Sequence, residues 1–256
     1  MPKVPWIGTN WKMHKTRPEA RAFARTLKAS SVATSESVRP FIIPPYTAIA
    51  DVADILEGTR VLVGAQNMHW ADEGPHTGEI SPPMLKDVGA GLIEIGHSER
   101  RREFGETDEM VAQKAAAAVR HGFVALVCIG DTREEYEAGR TTAVLRAQVG
   151  AALAKIPAQG FGNVLLAYEP VWSIGEGGTP APPDFADEQH ALIKAETRRF
   201  VPEGLEVLYG GSVNPGNCLE LAGKPHIDGL FIGRSAWRAE DYIAIAERVT
   251  RSLADR

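Results

Sequence analysis

Val164-Leu165-Leu166-Ala167-Tyr168-Glu169-Pro170 sets five apolar residues together without alternation, then turns to a carboxylate and a proline. A strand wetted on one face alternates apolar and polar side chains. An unbroken run therefore reads as a parallel strand covered on both faces. Outward from this stretch the pattern recurs near residues 6–9, 41–43, 61–64, 92–95, 124–129, 207–209 and 230–232. Helix-like segments lie between the runs. The clearest spans 107–121, with Met110, Val111, Lys114, Ala118 and Val119 at helical spacing. Its opening, Thr107-Asp108-Glu109, suits a helix N-terminus. Residues 133–153, 184–200 and 239–253 read the same way, and 17–28 carries Pro18 in its first turn, where proline is tolerated. Shorter segments follow Pro45, Ser81 and Asn214.

Eight β-then-α units thus follow one another with no low-complexity linker, and residues 1–256 read as one α/β domain. Strand–crossover–parallel-strand units are nearly always right-handed, and eight in this length favour closure into a (β/α)8 barrel. Periodicity alone leaves a doubly wound open sheet as the alternative.

Composition narrows the class of partner. Hydrophobic residues make up 44% and charged residues 24%, ordinary values for a globular enzyme. Lys and Arg number 28 against 33 Asp and Glu, a formal charge of -5. That balance argues against coating nucleic acid or an anionic membrane, while leaving room for one small anion held by local donors. The two cysteines, Cys128 and Cys218, are far apart and in no metal-like spacing, so neither a disulfide framework nor a structural zinc is expected. The opening residues hold no apolar signal-like core, and no run approaches bilayer-spanning length. The expected location is the cytoplasm.

Function is written in where the polar residues fall. The first run ends in Asn10-Trp11-Lys12, the third in Gln66-Asn67, the fourth in His97-Ser98-Glu99, the sixth in Glu169, the seventh in Gly210-Gly211-Ser212 and the eighth in Gly233-Arg234. In a barrel these ends share one mouth, where such enzymes do their chemistry. A strand-end carboxylate such as Glu169 is either a structural ion-pair partner or a base. The following Pro170-Val171-Trp172-Ser173-Ile174-Gly175-Glu176-Gly177-Gly178-Thr179-Pro180 has a stiff start, a bulky apolar middle and a flexible finish. That order suits a lid, though an ordinary surface loop has the same composition. His97 is a structural histidine or, at the start of a short helix, a neutral ring able to donate to a carbonyl. Lys12 is a surface lysine or a fixed cation beside a developing enolate. The two glycine segments are plain turns or backbone cradles for phosphate; neither is a P-loop, and no GxGxxG follows a strand.

In order along the chain stand Asn10-Trp11-Lys12-Met13, Ala65-Gln66-Asn67, Thr77-Gly78-Glu79, Gly96-His97-Ser98-Glu99-Arg100-Arg101, Phe104-Gly105-Glu106, Cys128-Ile129-Gly130, Tyr168-Glu169-Pro170-Val171-Trp172, Ile174-Gly175 and Tyr209-Gly210-Gly211-Ser212-Val213. Over essentially its whole length the chain resembles the triosephosphate isomerase family. The resemblance implies a homodimeric TIM barrel that needs no cofactor and acts on a small phosphorylated sugar. It implies Glu169 as base, His97 as neutral electrophile, and Lys12 with Asn10 as electrostatic partners. Gly175, Ser212, Gly233 and the N–H of Arg234 would hold the phosphate. Glu99 and Arg100 would support the site, and Thr77 would lie on a loop reaching into the partner subunit. A Glu base beside a neutral His is the well-known arrangement of these enzymes.

Departures from the triose pattern are equally informative. The lid reads Ser173-Ile174-Gly175-Glu176-Gly177-Gly178-Thr179-Pro180 and lacks the family's lysine; Gly233-Arg234-Ser235-Ala236-Trp237 replaces a Gly-Gly-Ala-Ser-Leu pattern; and Met68-His69-Trp70 replaces a shorter motif. These variations look like a sister branch, the L-erythrulose 1-phosphate isomerases of erythritol breakdown. Resemblance to that branch implies conversion of L-erythrulose 1-phosphate into D-erythrulose 4-phosphate through an enediolate. Interconversion of dihydroxyacetone phosphate and glyceraldehyde 3-phosphate is the alternative. A Schiff-base aldolase needs a desolvated lysine, which the sixth run does not offer. A non-catalytic phosphate-binding barrel has no need of a base beside a lid.

Overall fold

Eight parallel strands form in the order of the sequence: β1 (Trp6–Asn10), β2 (Arg39–Ile43), β3 (Leu62–Ala65), β4 (Leu92–Ile95), β5 (Val124–Ile129), β6 (Val164–Tyr168), β7 (Glu206–Tyr209) and β8 (Gly229–Ile232). Each pairs with its neighbour in sequence, and β8 pairs with β1, so the sheet closes. The computed structural model describes residues 4–175 and 178–254. Closure settles the choice left open by periodicity: the fold is a (β/α)8 TIM barrel, not an open sheet.

The apolar runs pack on both faces because alternate residues enter different cores. Phe41, Ile43, Leu92, Leu126, Leu165, Ala167, Leu208 and Phe231 fill the barrel. Their strand neighbours Ile42, Ile93, Val127, Leu166, Val207 and Leu230 face the helical ring. Gly8 leaves room for the Phe41 ring, since a Cβ there would lie 2.0 Å from it. The barrel interior is thus filled by side chains, and in barrels of this kind ligands bind at the carboxyl ends of the strands.

Helices follow the expected segments with one break. Arg17–Lys28 and Ala239–Ala254 form as read, and Thr107 caps Asp108–Arg120 by accepting the Met110 N–H at 3.3 Å. Residues 133–153, expected as one helix, form two, Arg133–Glu137 and Thr141–Leu153. Gly139 between them adopts φ +67, a left-handed conformation that ends the first helix. Lys114, one of the residues at helical spacing, is a buried cation paired with Glu106 and donating to Asn67 Oδ1 at 2.8 Å. Among the described residues no helix is long and apolar enough to cross a membrane.

Candidate active site

The carboxyl ends of the strands surround a cavity of about 700 Å³. Asn10, Lys12, His97, Glu169, Gly175, Ser212, Gly233 and Arg234 all line it, so the eight residues singled out in the sequence meet in one place. Gln66 also lines it. Asn67 does not: just past the end of β3, its side-chain oxygen accepts from buried Lys114 instead. Thr77 lies on an exposed stretch away from the cavity.

β6 delivers Glu169, whose backbone N–H bonds Ile129 O at 2.7 Å. This close approach depends on Gly130, where a Cβ would fall 1.8 Å from the Glu169 carbonyl oxygen. The carboxylate is 2% exposed, with Oε2 accepting the Ser98 N–H at 3.2 Å and Oε1 lying 3.3 Å from His97 Nε2. His97 stands at the N-cap of the helix Ser98–Phe104, its Nδ1 accepting the Glu99 N–H at 3.1 Å. An accepting Nδ1 in a neutral ring puts the proton on Nε2, the nitrogen that faces Glu169. Sequence reasoning placed His97 at a helix start; the structure adds that the ring itself forms the cap.

Lys12 is held at φ +52, a left-handed conformation unusual for a residue with a side chain. Three contacts fix it. Its N–H donates to Asn10 Oδ1 at 2.6 Å, its carbonyl accepts from Gln66 Nε2 at 2.8 Å, and its Nζ donates to Glu99 Oε1 at 2.7 Å. Burial pushes the Glu99 carboxyl up, but the hydrogen bond and charge of Lys12 outweigh it and hold the group below its usual range. Arg100 Nε lies 3.4 Å from Glu106 Oε2, tying the His97 helix to the buried Lys114 pair.

On the far side, Gly210 leaves room for Glu169, since a Cβ there would lie 3.0 Å from its Cγ. Gly233 precedes the short turn of helix Arg234–Ala236. Backbone N–H groups at such a start favour an anion. In the segment expected to form a lid, Trp172 is buried and stacks on Tyr136 with ring centroids 4.6 Å apart, and Gly175 adopts φ +87. Glu176 and Gly177, the middle of the expected lid, lie outside the described residues.

One carboxyl escaped sequence reasoning. Glu94, in the middle of β4, points into the barrel, is 0% exposed, and borders the cavity. Its Oε2 accepts from Asn10 Nδ2 at 2.6 Å. Burial pushes its pKa up to about 7, with the nearby Glu169 charge adding to the rise and His97, Asn10 and Lys12 opposing it. The only signal in the sequence was one acid inside Leu92-Ile93-Glu94-Ile95. Glu94, Cys128 and Glu169 bring potential metal-ligating atoms within 4.8 Å of one another. Burial pushes the Cys128 thiol well above its usual value, so the sulfur stays protonated and is a poor metal ligand.

A closed barrel whose mouth gathers a carboxylate, an imidazole, a lysine and glycine-rich turns defines the class, and the chain belongs to the triosephosphate isomerase family. The family model described as triosephosphate isomerase matches residues 5–249. Within that class, an L-erythrulose-1-phosphate isomerase of Brucella abortus biovar 1 (strain 9-941) is 57% identical over 244 residues, covering 95% of each chain. One from Mesorhizobium japonicum is 54% identical over 251 residues, covering 98% of this chain and 99% of the relative. The crystal structure of triosephosphate isomerase from Bartonella henselae superposes with a TM-score of 0.82 at 37% identity, covering 95% of this chain and 99% of that one.

Proposed function

We propose that the protein is a sugar-phosphate isomerase converting L-erythrulose 1-phosphate into D-erythrulose 4-phosphate. The observation that carries the chemistry is the 3.3 Å approach of Glu169 Oε1 to His97 Nε2 on a cavity with room for a small sugar phosphate. The substrate choice rests on the 54–57% identity to relatives that bear this name.

Backbone N–H groups at Gly175, Ser212, Gly233 and Arg234 hold the phosphate, so a non-reacting group orients the reacting carbons. Glu169 takes the C3 proton. The C–H electron pair forms the C2–C3 double bond, and the C2 carbonyl oxygen gains the charge of an enediolate. His97 Nε2–H and the Lys12 ammonium stabilise that charge, with Asn10 alongside. Glu169 returns the proton to C2, and His97 carries the hydroxyl proton between the two oxygens, leaving the carbonyl at C3. Substrate and product are isomers, so the step balances without a cofactor. The homodimer implied by the resemblance, with Thr77 at its interface, and the cytoplasmic location belong to the same reading.

Triose phosphate is the second substrate to consider, favoured by the 37% identity to a triosephosphate isomerase. Purified protein offered both compounds should show the higher kcat/KM with L-erythrulose 1-phosphate. A strong preference for dihydroxyacetone phosphate would reverse the substrate assignment and leave the mechanism standing.

A further inference from the structure

Glu94 has no part in the proton transfer just described, yet its surroundings are not those of a purely structural acid. Its strand neighbour Leu92 and the interior residues Leu126, Leu165 and Leu208 are apolar. An acid enclosed in such a place is costly to bury unless its polar atoms are matched. Its two oxygens differ. Oε2 has the short bond from Asn10, whereas Oε1 has the Cys128 thiol at 3.8 Å, a weak donor at long range. Glu94 also borders the cavity while being 0% exposed, so a ligand meets it where the carboxyl turns towards the mouth.

The ring of strands says which part of a ligand arrives there. β4 lies opposite β8 in the closed order of eight. A substrate whose phosphate rests on the loops after β7 and β8, and whose reacting carbons lie between Glu169 and His97, directs its remaining end towards β4. A triose phosphate carries only a hydrogen at that position of its reacting carbon. A tetrulose phosphate has a hydroxymethyl group there, whose hydroxyl both donates and accepts a hydrogen bond. Isomerisation leaves that group in place, so one partner serves substrate, enediolate and product alike. We propose that Glu94 is a specificity-determining residue whose carboxyl hydrogen-bonds the terminal hydroxymethyl group of a four-carbon ketose phosphate. This rests on the reading of the site as a ketose-phosphate isomerase given above.

The test is the ratio of kcat/KM for L-erythrulose 1-phosphate to that for dihydroxyacetone phosphate, in the full chain. Glu94→Leu should lower the ratio about 30-fold or more, because the hydroxyl is then buried without a partner. Glu94→Asp, which withdraws the carboxyl by one methylene, should lower it about fivefold, and it tests the proposal even where the leucine variant does not fold. Glu94→Gln, which keeps a donor and an acceptor, should hold it within about threefold. Equal losses on both substrates in the Leu and Asp variants would overturn the proposal and leave Glu94 acting through Asn10 alone. Wild-type preference for the triose would instead remove the underlying substrate reading, a result visible before any variant is made.

Discussion

Replacing Glu94 by Gln removes a proton that the folded barrel keeps and the unfolded chain gives up. Burial raises this carboxyl from an ordinary 4.5 to about 7. Below pH 4.5 both states hold the proton and the group is neutral in each. Between 4.5 and 7 the folded chain binds more protons than the unfolded one, so its stability falls as the pH rises. Above 7 the loss is complete, because a bare carboxylate then sits in the barrel. At 1.36 kcal/mol per tenfold change in proton affinity, the full loss is about 3 kcal/mol. Glutamine still accepts from Asn10 Nδ2 and does not titrate. The unfolding free energy of Glu94→Gln relative to wild type should therefore rise by about 3 kcal/mol between pH 4.5 and pH 8. Other carboxyls, such as Asp51 and Glu206, titrate in both proteins and cancel in the difference. Urea unfolding followed by tryptophan fluorescence, both proteins at one concentration and several pH values, measures it. A difference flat to within about 0.5 kcal/mol would refute the reasoning: Glu94 would then titrate alike in folded and unfolded chains, solvated rather than enclosed.

Glu169→Gln should lower kcat about 10²–10⁴-fold while a phosphorylated substrate analogue still binds; full turnover in steady-state assays would remove Glu169 from the chemistry. Lys114→Met should destabilise the fold by about 3 kcal/mol, because buried Glu106 loses its lysine and keeps only the longer Arg100 contact beneath the His97 helix. A loss below about 1 kcal/mol in the same urea assay would show that water or Arg100 compensates.

The strands were most legible where both faces are dry. Residues 124–129 and 164–168 form strands with the expected ends, because an unbroken apolar run has no other stable place. The mouth was legible for a different reason: polar residues stand just where each run stops, and closure of the barrel does the rest. Three features were hidden. The break at Gly139 lies inside a pattern helical on both sides, and only the left-handed φ reveals it. Asn67 and Lys114 find each other over a separation of 47 residues, which no local period records. Glu94 interrupts an apolar run as a solvent-facing residue would, and only the inward direction of that side chain distinguishes the two cases.

The left-handed backbone at Lys12 bears on how this site can change. A residue with a side chain held there costs about 1–3 kcal/mol relative to one at ease. Glycine alone would relax it, and glycine brings no ammonium group. Selection for a sturdier fold and selection for turnover thus pull this position in opposite directions. The barrel keeps its lysine only while the neighbouring Asn10, Gln66 and Glu99 go on clamping it, so drift at any of those three loosens the cation before it touches the base.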